Sequence, residues 1–383
     1  MDDPKKALCT ICKGRRVESL LDLSGDPAVT SLGEIIDDDV VVKICRDCGH
    51  ATKDPLKDSE AFYSNEYTIS TSSDDDDQIY AVAEDGVATY RTQHQATLIL
   101  RSTELRSGAR VLDYGCAKGL TSRWLLSERP DLELFLYDVT DIHRDRWASL
   151  VHPSRTASHK LPNEWLGSFD LVFTMFTLEH MVDPGLELSM ISDLLRPRGS
   201  VHGVVPYLVY NWADLIVRDH INHFSVTSME RILDRANFGS VRIDTTSHDA
   251  ALTFTAERGG AKSDPARPTL PSTPLDEIAD YWRQRRAKIA RFEETVAGRN
   301  SAIFGAGVNG AFIFNSISDR SRVRCFLDNS PHLRGTSRLG MPVIGPSELP
   351  DDVEVVYVAL SPRVADQAIA ASLLGHRDLV FFR

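Results

Sequence analysis

Asp113, Gly115, Ala117 and Gly119 all fall within the run VLDYGCAKG at residues 111–119, and a second carboxylate, Asp138, ends the apolar run LELFLYD. Small residues let a backbone approach a ligand closely, and the first amides of a following helix attract a carboxylate or phosphate. A carboxylate that closes the next strand can accept hydrogen bonds from both hydroxyls of a ribose. Together these are the parts that hold a nucleoside-like ligand at the carboxyl edge of a parallel sheet. Asp113 is placed to orient the loop and an amino group on that ligand. Ala157 and Ser158 are the candidates for the side that holds the base.

Two further sets of residues carry chemistry. Cys9 and Cys12 form one C-x2-C pair, and Cys45 and Cys48 form another. Four thiolates offered from two tight turns make a tetrahedral zinc site, and with all ligands supplied by protein the ion would be structural. Cys116 and Cys325 read as packing residues. The second set is Glu179 and His180, after an apolar stretch, with Asp219, His220 and His223 in DHINHFSVTSMERIL. An imidazole can accept a proton near neutral pH, and Asp219 could orient a ring. On a helix, His220 and His223 would share a face; with His180 they could also hold a metal, or His223 could simply lock a loop. Arg218 could clamp a phosphate or carboxylate by a paired contact. Tyr207 and Trp212 could wall a sugar.

Near the carboxyl end, Gly305-x-Gly307-x-x-Gly310 follows an apolar run, and Asp328 ends another, eighteen residues beyond Gly310. This is a dinucleotide-type fingerprint. It reads either as a nicotinamide site or as a domain that packs on its neighbour and contacts the nucleotide end of a substrate.

The elements that must position these groups divide the chain into three blocks: residues 1–70, residues 71–258 and residues 275–383. The segment GGAKSDPARPTLPSTP, residues 259–274, is a linker with nothing periodic to bury. A chain of 383 residues is too long for one core. The pattern predicts an amphipathic helix within 79–105, a strand ending at 114, a helix over 120–127 and strands ending near 138 and 174. A helix over 275–296 and strands at 301–304 and 353–362 follow. The fold class is therefore α/β, with a Rossmann-like core flanked by a small metal-binding domain and a second nucleotide-binding-like α/β domain. The formal charge of -12 gives no long-range pull toward nucleic acid or anionic membranes. No apolar run approaches the roughly twenty residues that span a bilayer. The start, MDDPKKALC, lacks the apolar core of a signal peptide, so a cytoplasmic location and free thiols are expected. The partner expected is a small molecule; monomer and homodimer stay open.

The glycine run, Asp138, FDLV and the later LLRPRGSVHGVVP strand together favour S-adenosylmethionine over a nicotinamide as the ligand of the middle block. With the four cysteines, LEHMVDP, DHINHFSVTSMERIL and the carboxy-terminal fingerprint, the whole chain resembles the three-domain sugar C-methyltransferases that act on nucleotide-linked keto-deoxysugars. That resemblance implies a zinc-binding amino-terminal domain, a class I methyltransferase core and a carboxy-terminal domain that helps bind the substrate's nucleotide through Gly305, Gly307 and Asp328. It places the catalytic histidine on His220, its neighbouring acid on Asp219 and the Leu-Glu-His histidine on His180, with Glu179 beside it. The reaction implied is proton removal next to a ketone, then attack of the enolate on the sulfonium methyl. Where that family often has Tyr-His-Glu-His, this chain has Val217-Arg218-Asp219-His220. The missing phenol leaves Tyr67, Tyr207 or Tyr210 as replacements. An oxygen or nitrogen methyltransferase, and a nicotinamide-dependent oxidoreductase using the third block, are the competing readings.

Overall fold

The computed structural model describes residues 8–57, 77–83, 85–262, 275–330, 333–360 and 365–383. Tyr67 and most of the linker lie outside the described residues.

The middle of the chain builds a seven-stranded sheet in the order Thr156–Ser158, Glu133–Asp138, Arg110–Tyr114, Phe169–Met175, Leu195–Pro206, Ala251–Arg258 and Phe238–Asp244. The first five strands are mutually parallel, the sixth runs against them, and the seventh pairs antiparallel with the sixth. Strands buried on both faces read as continuous apolar runs because alternate side chains enter opposite layers. Val111, Leu134, Leu171 and Phe173 pack into one layer. Leu112, Phe135, Val172 and Val201 pack into the other. Asp113 and Asp138 therefore emerge together at the carboxyl edge, where the order turns back on itself and ligands bind.

The stretch expected as a helix within 79–105 begins differently. Ile79–Val82 and Ala88–Tyr90 form a hairpin, and the helix runs only over Arg91–Ser102. Asp85-Gly86 supplies the turn, and Ile79, Tyr80, Val82 and Thr89 favour extended backbone. The helix starts where the Gln93 side chain accepts a bond from the Tyr90 amide.

The carboxy-terminal sheet has the order Ser337–Arg338, Met341–Ile344, Val323–Leu327, Asn300–Phe304, Val353–Val358 and Val380–Phe382, parallel except at its first pair. Gly305 follows its first strand. A Cβ at Gly310 would lie 2.1 Å from the Gly305 carbonyl oxygen, so only glycine lets the helix Val308–Ser316 pack on the loop. The helix Leu275–Thr295 joins this domain to the middle one: Trp282 Nε1 donates to the Trp212 carbonyl at 2.7 Å.

The first block does not complete its own sheet. Val17–Asp22, Val41–Cys45 and Ala51–Lys53 take Asn222–His223 as a fourth, antiparallel strand. This places Lys53 beside the histidine segment. It also means that His220 and His223 do not sit on a helix, as the spacing alone suggested. They flank the start of a short edge strand.

Candidate active site

The glycine loop takes its shape from one close approach. Gly115 has φ +83°, and a Cβ there would lie 2.6 Å from the Thr177 side chain. The turn after the strand Phe169–Met175 thus packs directly on the loop and carries Glu179 and His180 with it. Asp138 accepts a 2.8 Å bond from the Ala117 amide and a 3.1 Å bond from the Thr140 amide, while Trp147 Nε1 donates to the Ala117 carbonyl. Asp113 accepts a bond from Ser122 Oγ at 2.6 Å, and burial pushes its carboxyl up to about 7. Gly119 caps the helix Leu120–Glu128 in a left-handed conformation. Ala157 and Ser158 pair in register with Tyr137 and Asp138, so they do lie at the same edge; the Ser158 hydroxyl already accepts a bond from Arg144.

Beside the loop lies a buried cluster. His180 and His220 meet edge to face, with ring centroids 4.6 Å apart. Asp214 organises it, a residue the sequence did not single out. Its two oxygens accept bonds from Nδ1 of His220 at 2.5 Å and Nδ1 of His223 at 2.7 Å. Burial alone would lower His220, but the charge and bond of Asp214 carry it up to about 9. Burial also lowers His180 and raises Glu179 to about 8.

Asp219 was expected to orient or charge-balance a ring. Its carboxylate instead accepts bonds from the amide and hydroxyl of Ser31, and its backbone carbonyl accepts from His180 Nδ1 at 3.0 Å. The turn at Arg218 and Asp219 sends Asp219 to Ser31 and His180, while the His220 ring is held by Asp214. Arg218 does not reach outward as a substrate clamp. It is 4% exposed, pairs with Asp38 at 2.9 Å and donates to the Asp54 and Pro55 carbonyls, tying the first block down. His223 is likewise committed: its Nε2 accepts a bond from Lys53 Nζ at 2.7 Å. Lys53, which sequence reasoning also missed, donates further to the Val217 and His220 carbonyls, and burial lowers its amine to about 7. Tyr207 is buried and meets Tyr210 edge to face.

The four cysteine sulphurs converge. Cys9 and Cys48 Sγ are 3.8 Å apart, Cys12 and Cys45 Sγ are 3.6 Å apart, and all four lie within 4.8 Å of one another. Thiolates about 2.3 Å from one tetrahedral ion are about 3.8 Å apart, so the donor set and its spacing fit such an ion. In the carboxy-terminal loop, Asp328 accepts bonds from the Ala306 and Ser330 amides, holding the turn that contains Gly305 and Gly307. No helix among the described residues is long and apolar enough to cross a membrane.

Residues 88–242 match a family model described as a methyltransferase domain. A ubiquinone biosynthesis O-methyltransferase of Ralstonia nicotianae is 31% identical over 107 residues, 27% of this chain and 45% of that one. Its namesake from Xanthomonas axonopodis pv. citri is 34% identical over 100 residues, 25% of this chain and 42% of that one. The chain thus spans less than half the length of these relatives. Among solved structures, the YcgJ protein of Bacillus subtilis aligns with TM-score 0.37 at 14% identity, over 44% of this chain and 99% of that one. The CurJ carbon methyltransferase aligns with TM-score 0.36 at 14% identity, over 44% and 54%. The matched residues supply most of the seven-stranded sheet, which has a Rossmann-like methyltransferase fold.

Proposed function

We propose that the protein transfers a methyl group from S-adenosylmethionine to a small polar acceptor, a nucleotide-linked sugar, at the carbon next to a ketone. One observation carries this reading: the turn bearing Glu179 and His180 packs on Gly115 of the glycine loop, so donor loop and histidine cluster share one edge of the sheet. The bound donor would supply an electrophilic methyl on a positively charged sulfur. Asp138 would hold its ribose, Asp113 its amino group, and the first amides of the helix from Leu120 its carboxylate.

Carbon attack asks the protein to take a proton beside a carbonyl and to hold the negative charge left on oxygen. His180 and His220 share those duties in this reading. The charge on His220, sustained by Asp214, suits the oxygen, and its orientation is fixed because Nδ1 is engaged by Asp214. Alignment of acceptor and methyl would supply much of the acceleration. The four cysteines would hold a structural zinc ion. The carboxy-terminal loop at Gly305, Gly307 and Asp328 would meet the nucleotide.

A second reading, methylation at oxygen, is favoured by the relatives named O-methyltransferases. The two are told apart by deuterium exchange at the acceptor carbon of a nucleotide-linked keto-sugar with the demethylated donor bound. Exchange that depends on His180 and His220 is the expected result. Methyl transfer without any exchange points to oxygen. Calorimetry that detects no donor binding by the zinc-loaded protein overturns both.

A further inference from the structure

We propose that Glu179, His180 and His220 hold a divalent transition-metal ion, a second metal site chemically unlike the four sulphurs. Each residue offers one ligand atom, and the three atoms lie within 4.8 Å of one another. Ligands about 2.1 Å from a shared ion stand roughly 3.0–3.4 Å apart, so small side-chain rotations close the set.

The independent observation is Glu179 itself. Its side chain is fully buried, and neither carboxylate oxygen has a hydrogen-bond partner among the described residues. A buried carboxylate left in that condition is costly; it is kept where a cation or proton neutralises it. Both rings, moreover, are held from behind. His220 Nδ1 donates to Asp214, and His180 Nδ1 donates to the Asp219 carbonyl, which makes Nε2 the nitrogen of each ring that would take the ion. Carboxylate and carbonyl supports of this kind fix the tautomer of metal-binding histidines and raise their basicity. Two imidazoles and one carboxylate select zinc, cobalt or ferrous iron over magnesium or calcium, which take all-oxygen shells. Three protein ligands leave a position open.

The inference deepens the methyl-transfer reading and rests on it for the outside ligand. With the ion bound, both rings would serve as ligands and would not carry the proton; the open position would take the acceptor's oxygen, and the ion would supply the positive charge there that the metal-free site draws from His220.

The test loads the full chain with one equivalent of zinc, taken up first by the four sulphurs, removes unbound metal and then titrates with Co2+, followed by visible absorption and metal analysis, with donor affinity measured by calorimetry on the same sample. One further equivalent per chain is expected, with weak d–d bands and no sulfur-to-cobalt charge-transfer band. Glu179→Gln and His180→Asn should each weaken its binding by at least about tenfold while donor affinity persists, which also shows the variants folded. Absence of a further equivalent, or binding unchanged in both variants, overturns the site. Failure of the wild-type protein to bind donor removes the methyl-transfer reading and leaves the cobalt titration intact, so the two failures are distinguishable.

Discussion

Lys53 Nζ lies 2.7 Å from Nε2 of His223, across 170 positions of sequence, and its remaining bonds go to the Val217 and His220 carbonyls. A buried amine from the first block thus spends all three donors on the segment that carries the candidate catalytic histidine. Lys53→Met removes them together and leaves buried acceptors unpaired, each costing about 1–3 kcal/mol. Thermal unfolding should show a loss of about 3 kcal/mol or more. Turnover should fall as His220 loses its anchor, with donor affinity held.

Asp214 is the hinge of the cluster, since one carboxylate fixes two rings. Asp214→Asn puts an amide nitrogen where one Nδ1–H must find an acceptor, so one imidazole changes tautomer or turns away. Turnover should drop by roughly 10²–10⁴-fold, the range set by losing an oriented acid–base group. Steady-state kinetics beside donor calorimetry checks this: a fall in donor affinity as large as the fall in turnover would mean general unfolding instead.

The donor side and the acceptor side differ in how far they could be read in advance. The four cysteines, the glycine loop, Asp113 and Asp138 are local patterns: a few residues whose spacing is set by one turn or one strand–loop–helix unit. His180 and His220 were legible only as candidates. Their partners were not, because Asp214 lies in the irregular turn Trp212–Ile216 and Lys53 reaches the site through a strand pairing between distant segments. Neither has a periodicity to announce it. The same pairing explains why Arg218 misled. An arginine in a histidine-rich segment looks like a phosphate clamp until Asp38, Asp54 and Pro55 are folded around it. The hairpin before the helix Arg91–Ser102 was hidden because its few alternating residues also fit a helical face.

In the proposed site Asp113 receives the donor's amino group, which should make donor binding depend on pH. Burial raises its carboxyl to about 7, so it is protonated below that pH and ionised above it. Only the ionised form attracts the donor's ammonium group. Affinity for S-adenosylmethionine should therefore weaken as pH falls from about 8 to 6, and Asp113→Asn should be weaker throughout and nearly flat. Calorimetry across that range decides; a flat wild-type profile would remove Asp113 from the amino-group contact.

Arg218 separates a structural strut from a substrate clamp. Arg218→Lys keeps the charge but cannot bond Asp38 and two carbonyls with one planar fork. It should cost about 1–3 kcal/mol in urea unfolding. The acceptor KM should stay close to that of the parent protein. A large rise in KM without loss of stability would return this residue to the substrate.

Metal removal should reach further than the four sulphurs. Ser225 caps the helix Val226–Arg235 and donates its hydroxyl proton to the Cys48 carbonyl at 2.6 Å, while Arg235 at the other end donates to the Ile11 carbonyl. Both cysteine turns therefore dock on one helix of the methyltransferase domain, and that domain lends the first sheet its fourth strand. A block this small has little core to keep its turns in place without an ion. Cys45→Ser should lower the zinc content by one equivalent per chain and lower the melting temperature. It should also expose the 222–235 segment to hydrogen exchange, because Asn222–His223 loses its partner strand as the turns loosen. Exchange that rises only within residues 9–53 would show that the metal block is an appendage, with no hold on the histidine cluster.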